Sequence, residues 1–264
     1  MNTTTVRIIK FEFSDVLRSK WVLIYGLFFF LLTETLFRFG GTSARVMLSL
    51  SNVVLIIVPL ICIVYGTIYL YNAREFMELM LAQPLRRRSL FGGLYSGLVI
   101  PLNLSFLVGV GLPFLLHGVE RTAHLQAFSM LLLAGVFLTL IFIALAFLIS
   151  TAYEDKMKGL GIAILSWLLF SVAYDGVMLS LIYRFSDYPL EKAVIALTLL
   201  NPVDLARTLL LMQLDIAALM GYTGAVFELF FGSIMGAAIS LAALSLWVIC
   251  PMWLGLRQFR RKDF

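Results

Sequence analysis

The sequence has 264 residues, of which 61% are hydrophobic and only 13% are charged, and its mean hydropathy is +0.99. These values lie far outside the range of soluble globular domains, so they exclude a soluble enzyme and indicate a polytopic membrane protein. The net charge of +5 comes from basic residues beside apolar runs and not from one solvated basic face, so nucleic acid is not expected as a partner.

The chain divides into one surface segment and six apolar runs. Residues 4–20 carry apolar residues at helical spacing with charged residues between them, which is typical of an amphipathic helix lying in the membrane surface. The apolar runs that follow can each cross a hydrocarbon core of about 30 Å, although the first is slightly short. We place the spans at residues 21–37, 52–71, 90–116, 127–150, 159–183 and 232–256. The sequence therefore predicts an all-α membrane protein with six transmembrane helices in one domain, residues 1–264.

The distribution of Lys and Arg predicts the orientation. Fourteen of the 20 basic residues flank the two termini, the loop after the second span and the loop after the fourth span, whereas six lie on the other side. Basic residues beside spans mark the cytosolic side. Both termini are therefore expected in the cytosol, and the protein is expected to lie in the inner (plasma) membrane.

A charged insert separates the second and third spans. A short helix is predicted over residues 73–82, and Pro84 ends it because proline lacks an N–H. Its apolar face and charged flanks consist of Arg74, Glu75, Phe76, Met77, Glu78, Met80 and Leu81. Two interpretations remain open: a helix resting in the lipid headgroups, or a coupling helix that docks its apolar face into a cytosolic motor subunit.

The longest insert, residues 184–231, falls on the outer side. Asn201, Pro202 and Asp204 indicate a helix start there, with an N-cap side chain, a preset φ and a carboxylate near the positive helix end. The helix that follows is mostly apolar, so the insert is predicted to form a re-entrant helical hairpin.

Asp175 in the fifth span and Asn103 in the third are polar residues inside apolar runs. A carboxylate at the bilayer centre is costly, so Asp175 should face the bundle interior. It either pairs with Asn103, a Ser or a Thr of a neighbouring helix, or lines a substrate path.

No soluble-enzyme motif is present in the sequence, neither a phosphate loop nor a nucleophile elbow, and no metal-ligand spacing. Cys62 and Cys250 lie inside apolar runs and are interpreted as small buried residues. His117 and His124 are interpreted as solvated residues of a short outer loop. No metal site and no bound cofactor are therefore predicted in this chain.

Four stretches carry a resemblance to a known family. They are FEFSDVLRSKWVL (residues 11–23), FMELMLAQPLRRRSLFGG (76–93), STAYEDKMKG (150–159) and LTLLNPVDLARTL (197–209). Together they resemble the permease subunits of type-2 ABC exporters over essentially the whole chain. Within that family the chain is most similar to the membrane subunits of NosDFY transporters, which serve the maturation of nitrous oxide reductase.

The resemblance implies a non-catalytic membrane subunit that pairs with a second copy of itself. Each copy would engage a NosF-like ATPase, which binds the ATP and Mg. The helix from Arg74 to Leu81 would then be the coupling helix, and Glu154, Asp155 and Lys156 would form a second cytosolic contact.

On the outer side, the resemblance implies that the insert meets a periplasmic NosD-like protein, and we expect its helix start at Asn201, Pro202 and Asp204 to lie at that contact. The associated work is delivery of copper, with a copper chaperone, or of a sulfur species to nitrous oxide reductase. Two alternatives stay open: a type-2 exporter of a lipid, glycan, peptide or drug, and a membrane scaffold that binds no ATPase.

Overall fold

The computed structural model describes residues 19–40, 43–82, 86–117, 122–185, 191–213, 231 and 233–261. The predicted amphipathic helix at residues 4–20 lies outside the described residues except for its last two positions. Residues 214–230 of the long insert and the side chain of His124 also lie outside the described residues.

All regular structure within the described ranges is helical. The helices are α1 (Lys20–Gly40), α2 (Ser43–Asn72), α3 (Arg74–Leu81), α4 (Arg87–His117), α5 (Thr122–Ala152), α6 (Lys156–Leu168), α7 (Tyr174–Arg184), α8 (Glu191–Leu200), α9 (Pro202–Gln213) and α10 (Ile234–Arg261). A π-helical segment, Leu169–Ala173, joins α6 to α7.

In the described part of the chain, six helical segments are long and apolar enough to cross a membrane: α1, α2, α4, α5, the joined α6–α7 and α10. They run from 20 to 31 residues, and at about 1.5 Å per residue the shortest reaches about 30 Å. The prediction of an all-α protein with six spanning helices is therefore confirmed. A further pair, α8 and α9, is bent by 116° at Asn201.

Helix α5 is the centre of the bundle and packs against α2 on one side and α10 on another, while α1 packs against α4. Its middle turns are buried all round, with Ile141, Phe142 and Phe147 fully enclosed. A helix that is apolar on every face suits such a position, because it has no polar face that would need contact with water.

The joined α6–α7 and α10 have the opposite character. Large apolar side chains stand exposed along them, including Leu165, Leu179 and Leu246, each more than 60% exposed. Apolar exposure of this extent suits contact with lipid or with another helix and not with water. These two segments form the periphery of the described bundle.

One sequence interpretation is wrong, and a second is wrong in part. Cys250 is exposed on α10, and only Cys62 is buried, because an apolar run in a spanning helix has a lipid-facing side as well as a core-facing side. His117 is exposed, as its interpretation as a solvated residue requires, but it belongs to the last turn of α4 and not to a loop. Its ring stacks on Phe37 with centroids 4.7 Å apart, and its Nδ1 lies 3.0 Å from the carbonyl oxygen of Pro113.

Candidate functional site

Helix α3 turns its apolar face inward. Met77 is only 3% exposed, and Phe76, Met80 and Leu81 pack partly buried against the core. The sequence interpretation expected this face to stay open for a partner. It closes instead on the ends of α2 and α4, because the helix follows α2 after a single residue and has no room to stand away from the bundle.

The side of α3 that faces away from the bundle is therefore not the apolar side, which was the one expected. Glu75 and Glu78 are exposed, and Leu79 between the two faces is 70% exposed. Leu79 is the most exposed apolar side chain of α3, and it stands beside these two carboxylates.

Arg74 joins α3 to the loop between α5 and α6. Its Nη1 donates to the carbonyl oxygen of Glu154 at 2.7 Å, and its Nη2 donates to that of Tyr153 at 3.0 Å. The guanidinium also lies 4.5 Å from the ring centroid of Tyr71, in cation–π geometry. The two loops that sequence analysis identified separately are thus brought together by one side chain.

Tyr71, at the end of α2, completes the junction. Its hydroxyl donates to the carbonyl oxygen of Tyr153 at 2.9 Å and packs directly on Gly159 of α6. A Cβ at Gly159 would overlap the hydroxyl. The absence of a side chain there lets α2 and α6 approach closely.

Asp155 and Lys156 also have structural partners. The Asp155 Oδ1 accepts the backbone N–H of Met157 at 2.8 Å and so caps α6. The Lys156 Nζ donates to the side-chain oxygen of Asn72 at 3.0 Å. We call α3 together with residues 153–156 the loop platform, since these contacts make them one unit. Met157, the next residue, is 75% exposed beside it.

Asp175 lies in α7 and pairs with Arg207 of α9. The Arg207 Nη1 is 2.6 Å from the Asp175 Oδ2 and 3.1 Å from the Asp204 Oδ1. We call these three residues the Arg207 cluster. The expected pairing of Asp175 with Asn103 or a hydroxyl is therefore wrong. Asn103 lies on α4, and its Oδ1 is buried without a hydrogen-bond partner among the described residues.

A sequence signal for this pairing existed. Arg207 follows Asp204 by three residues, one helical turn, so both side chains lie on the same face of α9. A carboxylate inside a span needs a cation or a proton, and the carboxylate of Asp175 obtains the cation from this turn. The sequence analysis treated Arg207 only as a basic residue of the outer side and so did not identify it as the partner of Asp175.

Asn201 holds the bent pair to the bundle. Its Oδ1 accepts the N–H of Val203 at 3.0 Å, which is the N-cap that the sequence predicted, and its Nδ2 donates to the carbonyl oxygen of Phe170 at 2.9 Å. Phe170 lies in the π-helical segment, where the widened turn leaves carbonyl groups in need of donors.

Burial changes the role expected for the start of α9. Asn201 is fully buried, Pro202 is buried, and Asp204, taken as a whole residue, is 9% exposed. Their side chains face the bundle, so they do not fit the expected direct contact with a periplasmic partner. Further bonds hold α8 in the same way: the Tyr174 hydroxyl donates to the Leu197 carbonyl oxygen at 2.7 Å.

The six spanning segments, the loop platform at one end and the bent pair held to the bundle by the Arg207 cluster define a polytopic membrane protein. The family model described as "ABC-2 family transporter protein" matches residues 6–264, so the chain belongs to that family. It is a membrane permease subunit of an ABC-2 type transporter.

Two curated relatives carry a more particular name. The chain is similar to the "Probable ABC transporter permease protein NosY" of Pseudomonas aeruginosa, with 28% identity over 267 residues that cover 95% of this chain and 96% of the relative. It is also similar to the protein of the same name from Stutzerimonas stutzeri, with 27% identity over 266 residues that cover 93% and 91%.

Proposed function

We propose that the chain couples ATP hydrolysis by a separate NosF-like ATPase, which binds the ATP and Mg, to copper-site maturation of nitrous oxide reductase in the periplasm. Membership in the ABC-2 family implies an ATPase partner. The similarity to two NosY permeases over nearly the whole chain supports the Nos assignment. A NosD-like protein and a copper chaperone would act on the periplasmic side.

The observation that carries this proposal is the pair of hydrogen bonds from Arg74 to the carbonyl oxygens of Tyr153 and Glu154. Because of them, a force applied to α3 reaches α2 and the start of α6 together. Coupling requires such a rigid element, since a flexible loop would absorb the motion of the ATPase. The buried Met77 and the partly buried Phe76, Met80 and Leu81 would seat the helix, while its outward side would meet the ATPase.

The proposed orientation places the loop platform and both termini in the cytosol of a cell with an inner membrane. The excess of basic residues on that side supports it. A second copy of the chain would cover part of the apolar surface of the peripheral helices. On the other side, contact with a NosD-like protein would fall on exposed positions of α8, such as Lys192 and Leu200.

Leu79→Asp tests the docking surface. The side chain is 70% exposed, so a carboxylate there leaves the bundle intact. Loss of a buried leucine contact costs about 1.5–3 kcal/mol, so we expect ATPase binding to weaken by at least tenfold. Leu79→Met, which keeps an apolar side chain of similar size, is the control. Copurification of the ATPase with each variant measures the effect, and equal binding by Leu79→Asp and the wild type would refute the proposal.

A second candidate function is export of an apolar or amphiphilic cargo. A groove of about 590 Å³ lies between α1 and α2, and its walls are aromatic and aliphatic, including Trp21, Tyr25, Ile61 and Val64. Deleting the chain separates the two candidates: loss of copper from periplasmic nitrous oxide reductase supports the first, and retention of a full copper complement supports the second.

A further inference from the structure

A basic cleft lies where α10 ends and α4 begins. Its volume is about 460 Å³, and it is lined by Arg88, Trp253, Leu256, Arg257, Arg260 and Arg261. Arg87 fixes its shape, because the Nη1 of this residue lies 3.3 Å from the Phe259 carbonyl oxygen and 3.1 Å from that of Arg260. These contacts of Arg87 therefore hold together the two helix ends between which the cleft lies.

The four lining arginines have no acidic partner among the described residues. Among the residues that the structure describes, no carboxylate forms an ion pair with Arg88, Arg257, Arg260 or Arg261. Arg257 contacts the ring of Trp253, with its guanidinium carbon 5.6 Å from the ring centroid. Like charges gathered in one small space repel one another, so the cleft favours an anion that neutralises them.

The position and the walls of the cleft indicate which anion. Arg88 and Arg261 stand at the ends of two spanning helices, at the level where lipid headgroups begin. Trp253, 57% exposed, and Leu256 supply an apolar wall one to two turns further into α10. Tryptophan is favoured at this depth, and guanidinium groups bind phosphate oxygens in a bidentate manner.

We propose that this cleft binds the headgroup of an anionic phospholipid, with the phosphate held by Arg257, Arg260 and Arg261 and the glycerol and upper acyl chain against Trp253 and Leu256. Basic pockets between spanning helices bind such headgroups in other membrane proteins. The bound lipid would join the start of α4 to the end of α10. Free phosphate could meet the same arginines, but it would gain nothing from the apolar wall.

The test uses the full chain, purified in mild detergent and titrated with phosphatidylglycerol or phosphatidylcholine while native mass spectrometry counts the bound lipids. We expect phosphatidylglycerol to bind more tightly than phosphatidylcholine. Each arginine near the surface contributes about fivefold, so Arg257→Gln with Arg260→Gln should weaken phosphatidylglycerol binding by about 25-fold. Lys20→Gln with Lys158→Gln removes the same charge from exposed positions outside the cleft and should leave the binding unchanged.

Three results would overturn the proposal: equal binding of the two lipids, equal loss in the cleft variant and the control variant, or complete displacement of phosphatidylglycerol by excess inorganic phosphate. The last result would show that the cleft takes a free anion. Size-exclusion profiles of the variants establish that each remains folded. The measurement needs no ATPase, so its outcome is independent of the proposed coupling role.

Discussion

At the scale of single residues, the Arg207 cluster shows how a charged group is tolerated in this chain. Two carboxylates, Asp175 and Asp204, share one guanidinium. The three side chains are between 13% and 37% exposed, so water screens them only in part. Removing the shared cation would leave two like charges facing each other, which costs more than the loss of a single pair.

Arg207→Gln should therefore lower the free energy of unfolding by about 1–3 kcal/mol, between the values for exposed and buried ion pairs. Arg38→Gln is the matched control, because Arg38 pairs with Glu34 at 3.0 Å but is 70% exposed. We expect less than about 1 kcal/mol there. Thermal unfolding in detergent measures both, and equal effects of the two substitutions would show that the cluster contributes no more than a surface pair.

Sequence reasoning at this scale predicted residue types better than partners. The N-cap at Asn201 was recognisable because it depends on neighbours in the chain, Val203 above all. The partner of Asp175 was not recognised because it lies on another helix, 32 positions away. Local chemistry can be inferred from spacing, whereas contacts between helices depend on how those helices pack.

At the scale of elements, the sequence predicted the short helix but not the direction of its faces. Periodicity shows that one side of α3 is apolar, and it does not show what covers that side. Met77 is buried by the chain itself, so Leu79 carries the exposed apolar surface. The spans were predicted more closely, since an apolar run of sufficient length has few other stable structures.

The close contact of α2 with α6 gives a prediction at this scale. Gly159→Ala would place a methyl group against the Tyr71 hydroxyl, and overpacking of this kind costs about 1–3 kcal/mol. The variant should lose stability, and the loop platform should exchange its amide hydrogens faster. Gly161→Ala is the control on the same helix, because nothing lies within 4 Å of the added carbon.

Gly161→Ala, the control, replaces glycine with alanine inside a helix without a clash. This substitution should stabilise the protein by up to about 1 kcal/mol. Hydrogen exchange of the segment 153–159 and thermal unfolding distinguish the two variants. The same response from both substitutions would mean that the approach of α2 to α6 does not hold the loop platform together.

At the scale of the whole molecule, the bundle has a buried centre in α5 and a largely apolar periphery in α6–α7 and α10. The two ends differ: one carries the loop platform and the basic cleft, and the other carries the Arg207 cluster and the bent pair. The proposed coupling role requires that the loop platform faces the cytosol and meets the ATPase there. Composition predicted the membrane class and the family resemblance predicted the partner, whereas the surface that would bind the partner became visible only in the fold.

Thiol labelling of variants that have a single exposed cysteine tests this central claim most directly. Cys250 is exposed and is first replaced by serine. Leu79→Cys then probes the loop platform, and Arg38→Cys probes the end of α1 on the other side of the bundle. We predict that a membrane-impermeant maleimide labels Arg38→Cys in intact spheroplasts and labels Leu79→Cys only after permeabilisation, with bound ATPase protecting the latter. Labelling of Leu79→Cys from outside, or no protection by the ATPase, would contradict the account.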